Sequence, residues 1–306
     1  MKEMFVLVMA GGRGKRFWPC SRQTMPKQCL KFGEERSLLQ QTIDRIMPLV
    51  PPERILVSTG AVMEAPVREQ LPEIPHGNFL VEPEGRNTLP CIAWGAVEVG
   101  RRGGGNAVMA VIPADHHVGK PEELRTVLAA AASAAVATNA LITLGILPSR
   151  PETGFGYLAL GTMMGTWGER SFRMVERFVE KPSKEVAERF LRGRQHLWNA
   201  GMFVFTVDAI KDAIRTHSPQ TGEAMEELQR TPRKVSKWWN RMEATSVDYG
   251  IMERSHHILT VPCDLDWSDV GTWGNVEAHM PVVEGGHGVA REVVSIRSRG
   301  CVVRAP

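Results

Sequence analysis

Phe5-Val6-Leu7-Val8-Met9-Ala10-Gly11-Gly12-Arg13-Gly14-Lys15-Arg16-Phe17-Trp18-Pro19 is the stretch on which the fold turns. A short run of branched apolar residues leads straight into Gly11, Gly12 and Gly14, interleaved with cations. A buried strand followed by a glycine-rich basic loop is how α/β proteins build a phosphate site. Glycine lets the backbone approach the anion, and the freed N–H groups point at phosphate oxygens. On the glycines alone a plain tight turn fits equally well. A P-loop would need glycine at 9 and Ser or Thr at 16, where Met9 and Arg16 stand. The dinucleotide fingerprint would need a small residue at 17, and Phe17-Trp18-Pro19 follows instead. Arg13, Lys15 and Lys27 are therefore expected to cover a triphosphate from an irregular loop.

Working outward, apolar segments alternate at strand and helix spacing. Strands are expected at 54–59, 79–81, 107–112 and 141–146, with helices at 37–50, 62–71, 89–99 and 122–138. This alternation implies βαβ units and a mostly parallel (mixed) central sheet covered on both faces. Ligands in such sheets sit beyond the carboxyl ends of the strands. The second half is less regular, with strands expected at 172–179, 202–205 and 258–261 and helices at 183–191, 208–216 and 222–229.

The 306 residues can bury a core as one large domain or two smaller ones. A formal charge of +3 is too mild to argue for nucleic acid, yet Arg13, Lys15, Arg16, Arg22, Lys27 and Lys31 crowd one early stretch. Cys20, Cys29, Cys91, Cys263 and Cys301 are odd in number and scattered, so neither a disulfide framework nor a zinc site follows, and a reducing cytoplasm is the expectation. The start reads as a first strand rather than a signal peptide. Uncharged 127–147 reads as an alanine-rich helix turning into a strand, not as a membrane span.

Two carboxylates stand out. Asp115 ends a buried strand, where Asp also serves as a helix cap; Asp269 lies in an acidic run that also fits a solvated turn. Together, beside a triphosphate loop, they fit Mg²⁺ held by few carboxylates plus substrate phosphates. Glu180-Lys181 fits either a surface turn or a pair taking sugar hydroxyls and a phosphate. Adjacent His116 and His117 do not form a chelating pair, and Trp238-Trp239 reads as packing.

The ordered set of motifs resembles the sugar nucleotidyltransferase family. Gly11-Gly12-Arg13-Gly14, Pro26-Lys27-Gln28, Glu82-Pro83-Glu84-Gly85-Arg86-Asn87-Thr88, Pro113-Ala114-Asp115-His116, Phe178-Val179-Glu180-Lys181-Pro182, Trp198-Asn199-Ala200-Gly201, Val247-Asp248-Tyr249-Gly250-Ile251-Met252-Glu253 and Trp267-Ser268-Asp269 carry it, over roughly residues 5–275. The Arg86-Asn87-Thr88 segment is similar to the mannose-1-phosphate guanylyltransferase branch. Phe155, Leu89, Cys20 and Cys29 depart from the pattern without removing a charge.

The resemblance implies a Rossmann-like nucleotidyltransferase domain over 1–280. It also implies a short C-terminal β segment, 281–306, resembling the start of a left-handed β-helix that aids dimerisation. It implies transfer of GMP from GTP to α-D-mannose 1-phosphate, giving GDP-mannose and pyrophosphate. GTP would meet Gly11, Gly12, Gly14, Arg86, Asn87 and Thr88. The sugar phosphate would meet Gly154, Glu180, Lys181, Asn199 and Asp248, with Mg²⁺ on Asp115 and Asp269. Expected partners are GTP and mannose 1-phosphate in a cytoplasmic homodimer, without nucleic acid or membrane. Transfer to another sugar 1-phosphate, or a non-catalytic GDP-mannose sensor, are the alternatives. The metal assignment predicts that Asp269→Ala lowers kcat by orders of magnitude with folding intact; near-normal pyrophosphate release by that variant would remove Asp269 from the site.

Overall fold

The computed structural model describes residues 3–12, 17–22, 25–32, 35–273, 275, 282–283, 286–289, 296–298 and 300–304. The expected phosphate-loop residues Arg13, Gly14 and Lys15 lie outside the described residues, as does much of 281–306.

In chain order the strands are β1 (Met4–Met9), β2 (Ile55–Gly60), β3 (Phe79–Glu82), β4 (Val108–Pro113), β5 (His117–Val118), β6 (Leu141–Ile146), β7 (Gly156–Trp167), β8 (Arg170–Glu180), β9 (His196–Thr206), β10 (Ile258–Cys263) and β11 (Trp267–Ser268). The helices are α1 (Leu38–Ile46), α2 (Glu64–Gln70), α3 (Thr88–Gly103), α4 (Pro121–Thr138), α5 (Lys184–Gly193), α6 (Val207–His217), α7 (Pro219–Arg230) and α8 (Val235–Trp239).

β1 is the reason for the layering. Its residues are apolar on both faces, as a central parallel strand requires. Val6 and Val8 enter one core with Leu39 and Ile43 of α1 and the alanines of α4. Phe5 and Leu7 enter the other, with α3, α6, α7 and the fully buried Trp238 and Trp239. Trp94 meets both indoles edge-on, so the tryptophan pair is packing. Ser37 caps α1 in a reciprocal capping box with Gln40, and Ser183 caps α5. No described helix is long and apolar enough to cross a membrane.

The main sheet runs β3-β2-β1-β4-β9-β6-β10-β8-β7. Its first half is parallel as expected, but the whole is more evenly mixed than "mostly parallel". β9 inserts antiparallel between β4 and β6, and β8 lies antiparallel to both β7 and β10. β7 also pairs with the start of β9, so β6, β10, β8, β7 and β9 close on one another in a ring. β7 itself was not expected, because Gly156, Gly161 and Gly165 interrupt its alternation. Beyond the main sheet, 282–283 pairs antiparallel to 286–289, which pairs parallel to 301–304.

This topology sets the site. Met9 lies opposite Pro113, and Gly60 opposite Glu82, so β1, β4 and β3 end together. Because β9 runs the other way, its early residues Asn199 and Gly201 reach the same end.

Candidate active site

Lys27 is the hub. It opens a single 3₁₀ turn after Pro26 and is only 3% exposed. Its ammonium donates to Asp115 Oδ2 at 2.8 Å and to the Asp269 carbonyl at 2.5 Å. Asp115 follows β4, while Asp269 follows β11, whose pairing with β5 sets Ser268 opposite His117. Of the two aspartates expected to hold a metal, Asp115 thus meets this internal cation with its carboxylate and Asp269 with its backbone carbonyl. Asp269 Oδ1 also accepts from the Gly271 N–H (3.0 Å) and Asn275 Nδ2 (3.1 Å). Gln28 Nε2 donates to the carbonyls of Ala10 (2.7 Å) and Gly12 (3.3 Å), which ties the glycine loop to the Lys27 turn.

α1 grips the turn that carries Asp115. Arg45 donates to the His116 carbonyl at 3.1 Å and to Thr42 Oγ1 at 2.7 Å. Burial pulls the Arg45 guanidinium down to about 10, which leaves it charged at neutral pH. Burial likewise pulls His116 down to about 4, against the opposing pull of Asp115. His116 is therefore neutral; its Nδ1 accepts from Trp267 Nε1 at 3.2 Å, which puts the proton on Nε2.

A cleft of about 350 Å³ opens beside this hub. Gly11, Gly12, Glu82, Asn87, Thr88, Asp115 and Asp248 are among the residues that line it. Glu82 is buried at the end of β3, where Ser58 Oγ donates to its Oε1 at 2.7 Å. Burial raises the pKa of this carboxyl. A Cβ on Gly11 would touch Glu82 Oε2 at 3.5 Å, so the carboxyl lies directly against the glycine loop. Asn87, at φ +69°, caps α3 through the Thr88 N–H, and both residues line the cleft at the positive end of that helix. Arg86 does not line it. Its guanidinium binds Glu84 Oε1 (2.8 Å) and the Met242 carbonyl (2.9 Å). With Trp239 Nε1 on the Glu84 carbonyl, the Leu89 N–H on the Thr245 carbonyl and the Val247 N–H on Thr88 Oγ1, it stitches 84–89 to 239–247.

That second segment leads to Asp248, the first residue of a π-helical turn, Asp248–Met252. Asn199 Nδ2 donates to Asp248 Oδ1 at 3.0 Å. Thr143 Oγ1 and the Gly201 N–H both donate to Asn199 Oδ1, which fixes the amide orientation. Gly201 sits at φ +66°, in the left-handed region. Burial, then the charge of Glu180, pushes Asp248 up to about 7. Glu180 pairs with Lys181 at 2.6 Å, and a Cβ on Gly156 would meet Glu180 Oε2 at 2.5 Å, so a side chain there would push that carboxylate from its place. Gly154 stands one step outside, its N–H on Glu152 Oε1 at 3.1 Å.

The structure thus brings Gly11, Gly12, Asn87, Thr88, Asp115 and Asp248 onto one cleft, with Lys27, Asp269, Asn199 and Glu180-Lys181 around it. Sequence reasoning assigned no chemistry to Glu82, Gln28, Thr143 or Gly156. The signal for Glu82 is a carboxylate closing a strand just before Pro83. Among the described residues no group of three or more His, Cys, Asp or Glu forms a metal site by itself.

A profile of the nucleotidyl transferase family matches residues 5–283. The chain is 34% identical over 286 residues to the xanthan biosynthesis protein XanB of Xanthomonas campestris pv. campestris (strain B100), covering 90% of this chain and 59% of that one. It is 32% identical over 308 residues to a mannose-1-phosphate guanylyltransferase of Klebsiella pneumoniae, covering 98% and 64%. A crystal structure from Thermus thermophilus, described as a mannose-1-phosphate geranyltransferase, superposes with a TM-score of 0.90 at 35% identity, over 99% of this chain and 87% of that one. The chain spans about three-fifths of the length of these two curated relatives.

The raised Asp248 carboxyl makes a linkage prediction. Its unfolded value is near 4, so between about pH 4 and 7 the folded state keeps a proton that the unfolded chain has released. This group's stabilisation is complete below that window and is lost as pH rises through about 7. Asp248→Asn should flatten the fall in urea-unfolding free energy between pH 5 and 7.5, by an amount on the order of 1–2 kcal/mol because the carboxyl borders an open cleft. An unchanged slope would refute it.

Proposed function

The chain belongs to the nucleotidyl transferase family, and from that premise we propose that it transfers GMP from GTP to α-D-mannose 1-phosphate, releasing pyrophosphate. The observation that carries this reading is a single cleft that gathers Gly11, Gly12, Glu82, Asn87, Thr88, Asp115 and Asp248, with Asp115 paired to Lys27.

A phosphate oxygen of the sugar phosphate attacks the α-phosphorus in line. The bond from that phosphorus to the bridging oxygen breaks, and pyrophosphate leaves with the electron pair. The nucleophile is already an anion, so no general base is needed, and catalysis consists of alignment and charge neutralisation. Arg13 and Lys15 would cover the triphosphate with the backbone of Gly11, Gly12 and Gly14, and Lys27 would meet phosphate from the opposite side. Asp248, Asn199 and Glu180 would take sugar hydroxyls, Lys181 the sugar phosphate, and Gly154 would border it. Arg86 acts on the nucleotide by holding its loop.

Asp115 and Asp269 suit Mg²⁺ by their chemistry: the Asp115 carboxylate and the Asp269 backbone meet at the Lys27 ammonium, and an ion held by few carboxylates takes its other ligands from substrate phosphates. Bound there, Mg²⁺ would offset charge on the nucleotide phosphates.

Glu82 supports guanine in particular. Guanine presents two adjacent donors, N1–H and the N2 amino group, on its Watson–Crick edge, matching the two acceptors of a carboxylate. Uracil offers one donor there, and adenine and cytosine set an acceptor beside their amino group. We further read 1–280 as the catalytic domain and 281–306 as the start of a left-handed β-helix in a homodimer. The parallel pairing of 286–289 with 301–304 supports the β-helix. Cytoplasm, where both substrates would be drawn from, is the expected compartment.

Pyrophosphate release over a panel of nucleotides and sugar 1-phosphates tests the reading. The highest kcat/KM is expected for GTP with mannose 1-phosphate; turnover with no pair would favour a non-catalytic GDP-mannose binder. Glu82→Gln should lower kcat/KM for GTP by about 10- to 100-fold and shrink the preference for GTP over ATP, as expected for a lost charged hydrogen bond of about 1.5–3 kcal/mol. An unchanged nucleotide preference would remove Glu82 from base recognition.

A further inference from the structure

Lys27 stands against the carboxylate of one expected metal ligand, Asp115, and the backbone of the other, Asp269. Its ammonium is shut away from solvent and bonded to the Asp115 carboxylate at 2.8 Å and the Asp269 carbonyl at 2.5 Å. The described residues provide no third carboxylate, histidine or cysteine with which Asp115 and Asp269 would hold a metal alone. Mg²⁺ demands near-octahedral oxygen ligation and gives up its water reluctantly, so two protein ligands without phosphate compete poorly with a cation already seated. A buried ammonium is itself costly to strip of its partner, which deepens that competition.

We propose that Lys27 is the resident cation of this site, neutralising Asp115 until a nucleoside triphosphate brings oxygens that complete a divalent ion's ligand shell. The ammonium then passes from the aspartates to phosphate on its flexible stem, while the Gln28 contacts hold the turn in place. The site is thereby kept from taking up divalent metal before nucleotide, and one residue serves as placeholder and then as phosphate contact. The inference rests on the proposed function only in taking Asp115 and Asp269 as the metal ligands.

The test uses nucleotide-free protein and Mn²⁺ as a spin probe, with free Mn²⁺ read by EPR. Lys27→Met should bind one Mn²⁺ at least about tenfold more tightly than wild type, a change of about 1.4 kcal/mol. The gain should vanish in Lys27→Met/Asp115→Asn, and Lys27→Arg should bind as weakly as wild type. A second measurement needs no variant. The lysine ¹⁵Nζ spectrum of wild type should contain a slowly exchanging ammonium that survives millimolar Mg²⁺ alone and is lost with Mg²⁺ plus a non-hydrolysable GTP analogue. Equal Mn²⁺ affinity in wild type and Lys27→Met, or loss of the ammonium signal with Mg²⁺ alone, would overturn the proposal. Neither readout involves turnover, so either result leaves the transfer reaction to be judged separately.

Discussion

The ion pair between the buried Lys27 ammonium and Asp115, which opens onto the cleft, is the constraint on which the rest of the site depends. A charged group taken out of water must be paired, and the pair must be held by neighbours that keep its geometry. Here the neighbours come from distant parts of the chain: Asp115 is 88 residues from Lys27 and Asp269 is 242. Closing that contact brings the glycine loop after β1, the turn after β4 and the segment after β11 to one place. Arg45 of α1 and Trp267 of β11 then brace the turn from the far side through His116. The Lys27 pair is therefore an organising contact first and a source of charge second.

A second set of contacts ties two segments that line the cleft. The loop before α3 is hydrogen-bonded to the segment before Asp248 by side chains and backbone, with Arg86, Thr88 and Trp239 as the side-chain links. In the proposed reaction, a loop that receives a nucleotide would not shift without pulling on the residue proposed to meet the sugar. Antiparallel β9 completes the arrangement by delivering Asn199 to Asp248 from the other half of the molecule. The parallel half of the sheet thus carries the strand ends before Gly11 and Asp115, and β9 carries Gly201 to the same cleft with Asn199 beside it.

What was legible in the sequence follows from what is local. β1, α3, α4 and β6 each carry their own periodicity, so their positions were readable to within a few residues. β7 was not, because its twelve residues hold three glycines and a partly solvated face, and their partners in β8 and β9 impose the strand. Asp115 was visible as a carboxylate at a strand end. That Lys27 would bind it was not, since no local pattern encodes a contact across 88 residues. Glu82 before a proline looks like the close of a strand, and only the packed sheet turns it into a buried carboxyl facing a cleft. The resemblance puts Arg86 at GTP, yet its guanidinium is bound to Glu84 and to the Met242 carbonyl, a partner supplied by tertiary structure.

The central claim is transfer of a nucleotidyl group to a sugar phosphate by alignment and charge neutralisation. The most direct measurement follows the phosphorus atoms by ³¹P NMR in a mixture of the protein, Mg²⁺, GTP and mannose 1-phosphate. The account predicts that GTP and mannose 1-phosphate signals decline together while GDP-mannose and pyrophosphate rise in equal amounts, with no inorganic phosphate. GTP left intact, or converted to GDP and phosphate without consumption of the sugar phosphate, would contradict it.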